Sequence, residues 1–400
     1  MLASASAFAP SVPKTATHLP SGRVHITSKA SALTMSAATA KPAPSGVDAD
    51  VAKLKKVLER EYISFFDPME ISWYSPSVTF DDPMTTLEGV DQYRKNVDML
   101  ASRTLMGKFL FDDASINLHS VTGGETDGTI ISDIQTRWTL KVTASVLPWE
   151  PTARFTGISV YKLAPGGANG VEIIGQLDYW DSVNLKDDGS GQYQTVAKWT
   201  AVQDFIAQLK PGGPKAQAAA PELPYELLRR GDGYEVRRYP AFSGVRLPYK
   251  RRDEGFGSLG AFSRSLSPLS PALMEVKTEN DTSDKYMMWP LAYAMPGQAE
   301  AAMPKEAEEM AGEGQWRTIR TVQTPARVVA VRGFTDASMG PVVKNADREL
   351  REILERDGLQ ADPVSGEEGL VRFAQYDAIF SMGERRGEVW IDLADRGHPW

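Results

Sequence analysis

Apolar residues recur along the chain at two spacings, three-to-four and two, and the changes between them mark its elements. Val51, Leu54, Leu58, Tyr62 and Phe65 share one helical stripe, which predicts an amphipathic helix over 49–66. Ser77–Asp82 alternates as a short strand that Asp82-Pro83 ends, because proline lacks the N–H a ladder needs. Val90, Tyr93, Val97 and Leu100 predict a second helix over Gly89–Leu105. Strands follow near 107–121, 128–143, 153–164 and 170–183, parted by Gly123-Gly124 and Pro165-Gly166-Gly167, and a helix at 193–209 closes the region. Helices first and an antiparallel meander after predict an α+β unit over 47–210, with helices on one face of a curved sheet.

The run from Lys210 to Pro221 is Pro, Gly and Ala with almost nothing to bury, so 211–222 reads as a flexible linker. Beyond it one pattern occurs twice over 223–396. Strands at 225–229, 233–239 and 241–247 lead to a helix around 256–268 and strands at 272–278 and 285–295. Strands at 316–323 and 326–333 then lead to a helix at 338–357 and strands at 370–377 and 387–393. The second helix carries the stripe Val342, Val343, Ala346, Leu350 and Leu354. Two strand–helix–strand halves predict a pseudo-twofold α/β sheet or distorted barrel with its helices outside. The acidic stretch 297–314 between them reads as a loop.

Composition narrows the chemistry. There is no cysteine among 400 residues, which removes disulfides, thiolate nucleophiles, iron–sulfur clusters and cysteine-ligated metals. Four histidines, His18, His25, His119 and His398, leave no basis for a multi-histidine metal site. Apolar runs such as Val328–Val331 are far shorter than the roughly 20 residues a membrane helix needs, and no transmembrane segment is expected. Residues 1–46 hold no acid and four bases, Lys14, Arg23, Lys29 and Lys41, so the rest of the chain sets 40 bases against 52 acids. A body so acidic is a poor partner for nucleic acid. The leader itself is rich in Ala, Ser and Thr, a transit-peptide composition that predicts a disordered targeting segment. Its Ala5-Ser-Ala-Phe-Ala-Pro10 resembles the Ala-Phe-Ala-Pro cleavage motif of algal plastid leaders, which implies a plastid (chloroplast) protein, stromal or peripheral to the thylakoid.

Two further resemblances rest on ordered motifs. Phe80-Asp-Asp-Pro83, Gly89-Val-Asp-Gln-Tyr-Arg94, Arg137-Trp-Thr-Leu140, Pro148-Trp-Glu150, Arg154-Phe-Thr-Gly157 and Asp178-Tyr-Trp180 resemble an uncharacterised plant and algal plastid domain. That resemblance implies a nuclear-transport-factor-like cone. Tyr225–Pro240, Trp289–Pro296, Pro325–Phe334 and Arg385-Arg-Gly-Glu-Val-Trp-Ile391 resemble the SOUL haem-binding family. There the resemblance implies a cleft that takes haem or another tetrapyrrole without a covalent link.

A porphyrin is a flat apolar disc with two propionates, so it needs a greasy slot and a cation at the rim. The candidates are Phe256, Leu259 and Phe262 on the first-helix face, Met274 and Met288 on neighbouring strands, and Arg264 as propionate partner. The same apolar residues equally fit a core. Axial ligation of iron has little to draw on, since His398 is the sole histidine beyond 221; no metal ligand set is expected. In the cone, Asp82, Arg137, Glu150 and Arg154 with Trp138 and Trp180 form a candidate ligand site, or else a turn cap, ion pairs and core. The reading that results is a non-enzymatic tetrapyrrole-binding or carrier protein. The alternatives are a cone that binds or transforms a small apolar plastid metabolite, and a thylakoid or lipid-droplet scaffold working through a plastid protein partner.

Overall fold

A computed structural model describes residues 46–64, 69–101, 103, 114–127, 130–211, 221–279, 282–335, 339–377, 385–394, 398 and 400. Residues 1–45 of the expected leader, 212–220 of the expected linker, Phe65 and the start of the strand expected at 107 lie outside them.

The first unit runs α1 (Gly46–Ile63), β1 (Tyr74–Asp81), β2 (Thr86–Glu88), α2 (Val90–Leu100), β3 (Ala114–Gly123), the short pair β4 (Thr126–Asp127) and β5 (Ile130–Ile131), then β6 (Ile134–Thr143), β7 (Thr152–Pro165) and β8 (Val171–Trp180). Two helices follow, α3 (Asp181–Asn184) and α4 (Lys198–Leu209). Its sheet has the order β2-β1-β8-β7-β6-β3. The meander β3-β6-β7-β8 is antiparallel as expected, but β1 returns to lie parallel to β8, which the local pattern does not show. The strand expected to reach 183 stops at Trp180, because Asn184 Oδ1 accepts the Trp180 N–H at 2.7 Å and turns the chain into α3.

Alternation decides the two faces of this sheet. Trp138, Ser159 and Tyr161 point inward, under Leu54, Leu58 and Tyr62 of α1 and Tyr93 and Val97 of α2. There the Tyr62 hydroxyl meets Thr136 Oγ1 at 2.8 Å and Tyr161 Oη at 3.0 Å, so the polar atoms that this core buries are paired. Arg137, Thr139 and Thr156 point outward.

The second unit runs β9 (Glu226–Gly231), β10 (Tyr234–Tyr239), β11 (Phe242–Pro248), α5 (Arg252–Phe262), β12 (Ala272–Glu279), β13 (Thr282–Tyr293), α6 (Lys305–Met310), β14 (Arg320–Thr324), β15 (Arg327–Thr335), α7 (Met339–Arg356), β16 (Leu370–Gln375) and β17 (Arg386–Asp392). Nine strands form one antiparallel sheet, β14-β11-β13-β12-β16-β17-β15-β10-β9. The predicted twofold is visible in that order: β11-α5-β12-β13 lays its strands down as β11-β13-β12, and β15-α7-β16-β17 repeats this as β15-β17-β16. The halves meet at β12 and β16. Leu259, Phe262, Val343, Leu350 and Leu354 fill the core between the helices and the sheet. The strand order does not close, although β14 and β11 share a cavity with β15 and β17.

Three expectations are corrected. The helix expected at 256–268 lies at 252–262, ended where Ser263 Oγ turns back to donate to the Leu259 carbonyl at 2.6 Å. The loop expected at 297–314 contains α6, which sinks Ala307 into the core. The strand expected from 316 begins at Arg320, after a short 3-10 turn at Gly314–Trp316.

The described residues fall within one compact unit, and side chains on the cone's outer face meet edge strand β9. Arg237 pairs with Leu227 and Val236 with Arg229, so Leu228 is the extra residue of a bulge. Its freed carbonyl accepts from Arg137 Nη2 at 2.9 Å. Thr139 Oγ1 donates to the Leu227 carbonyl at 2.6 Å, and the Arg230 N–H donates to Thr156 Oγ1 at 2.6 Å. Arg230–Asp204 and Arg154–Glu235 ion pairs flank these contacts at 2.8 and 2.7 Å.

Candidate functional site

Helix α5 packs on β11 and α7 on β15, β17 and β16, and a groove of about 1320 Å³ is lined by the start of α5, one side of α7 and residues of β12, β13 and β16. Tyr249, Val276, Val343, Leu370, Val371 and Phe373 give it an apolar lining. Lys250, Arg252, Lys285 and Lys344 stand around that lining, together with the acids Glu279, Asp347, Glu367 and Glu368. Arg351 is neutralised by Asp347 at 2.9 Å. Arg252 differs: its Nη1 is buried and has no hydrogen-bond partner among the described residues. Burial, and then the neighbouring Arg385 guanidinium, push its pKa down. A buried guanidinium donor with no hydrogen-bond partner, in the field of a second arginine, makes a place where an anionic group gains on arrival.

A tetrapyrrole fits that arrangement in part. The lining suits the disc, and Arg252 suits a propionate. For the iron, Tyr249 is the one residue of a ligating type among the described lining. Burial pushes its hydroxyl up to about 12, which opposes the tyrosinate a ferric ion would need. Among the described residues no cluster of three or more His, Asp or Glu is placed to hold a metal ion.

The residues selected from sequence divide between places. Leu259 and Phe262 are packed core, and Phe256 is half-buried with its ring 5.8 Å from Trp289. Arg264 is exposed. Met274 and Met288 come together in a separate, smaller cavity. His398 stacks on Trp400 at 5.2 Å, and the Trp400 ring lies under Arg137 and Arg229, so this histidine belongs to the interface of the two sheets. The groove residues Tyr249, Arg252, Val276, Val343 and Phe373 were missed; the paired cations Arg251-Arg252 at a helix start were the one local signal for them.

The cone residues do not form one site. Asp82 Oδ1 accepts the N–H groups of Met84 and Thr85 at 2.7 and 2.5 Å, which is a turn cap. Arg137 is buried in a two-point pair with Asp181 at 2.6 and 3.2 Å. Arg154 is engaged by Glu235 and by Tyr225 Oη. Trp138 donates to Ser159 Oγ at 2.9 Å, and Trp180 packs on Phe155. Glu150 is exposed. His119, without an evident partner in the sequence, has Nδ1 3.1 Å from a Glu226 carboxylate oxygen and Nε2 2.8 Å from Thr139 Oγ1. No helix of the described residues is long and apolar enough to cross a membrane.

Among solved structures, an NTF2-like protein of unknown function from Exiguobacterium sp. 255-15 is 19% identical; the match covers 31% of this chain and 98% of that one, with a TM-score of 0.24. An NTF2-like superfamily protein from Salmonella enterica serovar Typhimurium is 17% identical over 33% and 91%, with a TM-score of 0.27. A hydrolase from Listeria innocua is 13% identical over 44% and 94%, with a TM-score of 0.28. No curated protein matches the chain. Residues 52–168 match the family model described as an uncharacterized conserved protein, DUF2358. Residues 220–392 match that of the SOUL heme-binding protein. The chain therefore joins an N-terminal segment similar to the first family to a C-terminal segment similar to the second.

Proposed function

We propose that the protein binds haem or a related tetrapyrrole, non-covalently, in the groove beside α5 and α7, and serves as a carrier or binding protein and not as an enzyme. The observation that supports this most is the buried Arg252 Nη1, without a hydrogen-bond partner among the described residues, at the edge of an apolar groove within the segment that matches a haem-binding family. Each 100 Å² of disc covered contributes ~2.5 kcal/mol before ordering costs, so a few hundred Å² accounts for micromolar affinity with no bond to iron.

Titration of the full-length chain tests the reading. Haem and metal-free protoporphyrin are expected to give saturable Soret shifts with dissociation constants within about threefold of one another, since contact area and not ligation sets the affinity. Arg252→Glu is expected to weaken both about tenfold or more by placing like charge against a propionate. No saturable shift, or an Arg252→Glu variant that binds as wild type, refutes it. The leader supports a plastid address; a fluorescent fusion of residues 1–46 that remains outside plastids would remove that part of the reading.

A further inference from the structure

We propose that the second cavity of the C-terminal sheet, of about 160 Å³, is a ligand site for a small monoanion carried on a flat apolar body, a single-ring carboxylate being the fitting class. It stands apart from the tetrapyrrole reading: among the described residues it shares only Phe373 with the lining of the groove.

A belt of five charges crosses the curled sheet. Arg246 on β11 reaches Glu275 on β12 at 2.9 Å, and Arg372 on β16 reaches the other oxygen of Glu275 at 2.9 Å. Arg372 also reaches Asp392 on β17 at 2.7 Å, and Arg327 on β15 reaches the same Asp392 oxygen at 3.2 Å. The order is cation, anion, cation, anion, cation, and all five residues line the one cavity. Each carboxylate serves two guanidiniums, whereas among the described residues the end arginines, Arg246 and Arg327, each pair with one carboxylate only; the Arg246 guanidinium also lies 3.8 Å over the Tyr286 ring, and that of Arg327 lies 5.4 and 5.7 Å from the Phe242 and Trp390 rings. Arg327 Nε is buried with no hydrogen-bond partner among the described residues. The belt carries one positive charge in excess, and a monoanion between its two ends completes the alternation.

The remaining wall selects the body of the ligand. Beyond the belt the lining is mostly apolar, with Leu273, Met288, Val322 and Trp390, and Tyr286 and Thr324 are its hydroxyl-bearing residues. A volume of about 150 Å³ is enough for benzene, so one ring with one carboxylate fits and a macrocycle does not. The arginine side chains are 21–35% exposed, so the site communicates with water and its attraction is screened by salt.

Calorimetric titration of the full-length chain with benzoate as probe tests this, with neutral benzamide as its near-isostere. Benzoate is expected to bind saturably, about tenfold or more tighter than benzamide, and more weakly as salt rises. Arg246→Met and Arg327→Met are each expected to lower benzoate affinity about tenfold while leaving porphyrin binding unchanged. If either fails to fold, Leu273→Phe, which fills the cavity and keeps every charge, is expected to abolish benzoate binding alone. Absence of saturation at millimolar benzoate, equal binding of benzamide, or full benzoate affinity in folded variants at these positions overturns the proposal.

Discussion

Asparagine in place of Asp181 is expected to lower the urea midpoint of the chain by the equivalent of about 3–5 kcal/mol, the usual cost of removing one partner from a buried ion pair. Asp181 and Arg137 have side chains 0% and 1% exposed. The carboxylate also accepts from Thr156 Oγ1 and Tyr193 Oη, both at 2.5 Å, so four donor contacts converge on it. Burial alone would raise its pKa; Arg137, and then Arg229, outweigh that and hold it at about 2. Asparagine keeps the shape but leaves two buried guanidiniums without a counter-charge. Because the folded value is depressed, the stability this pair contributes is present above the unfolded value near 4 and fades as pH falls toward 2. Pairing Asp181→Leu with Arg137→Met is expected to cost less than Asp181→Asn alone, since no lone charge is then buried at Arg137. A single variant as stable as wild type would show that the pair is not what fixes this part of the sheet.

The second large effect has the opposite sign with pH. Glu61 on α1 is buried, and burial pushes its carboxyl up to about 7 against the Tyr74 hydroxyl that donates to it and the nearby Arg60 charge. Asp178 on β8 is likewise pushed up by burial to about 7. A carboxyl whose folded value is raised contributes fully below its unfolded value of about 4 and loses that contribution as pH rises through 7. For Glu61 the loss between pH 4 and pH 8 is on the order of 3 kcal/mol. Glu61→Gln is therefore expected to be more stable than wild type at pH 8 and no more stable at pH 5. Urea midpoints at the two values decide the matter: parallel curves for the two proteins would mean that Glu61 does not titrate in this window. The Asp181 effect lies below pH 4, so the two do not overlap.

What the sequence made legible was local. The stripe Val343, Ala346, Leu350 and Leu354 repeats through an 18-residue helix, and α7 lies within a residue of its expected bounds. The strand–helix–strand repeat is carried by short-range alternation, and the sheet order preserves it. The parallel return of β1 onto β8 is a pairing of residues about a hundred positions apart, and no local period encodes it. The Arg137–Asp181 pair and the His119–Glu226 contact are long-range in the same way. The site was harder still. Helical spacing shows that Leu259 and Phe262 are covered, but not by what; the structure covers them with protein. The groove residues come from a loop, two helices and the sheet, none of which advertises the cavity by itself.

Strand β9 is the last of its sheet, and a terminal strand offers a row of unsatisfied amides and carbonyls on which a stray chain can polymerise. In this protein Arg137, Thr139 and Thr156 of the cone occupy three of those positions from the side. The N-terminal unit thus works as a built-in guard against self-templating, and a C-terminal piece cut free of it would present a bulged, sticky border to every other copy in solution.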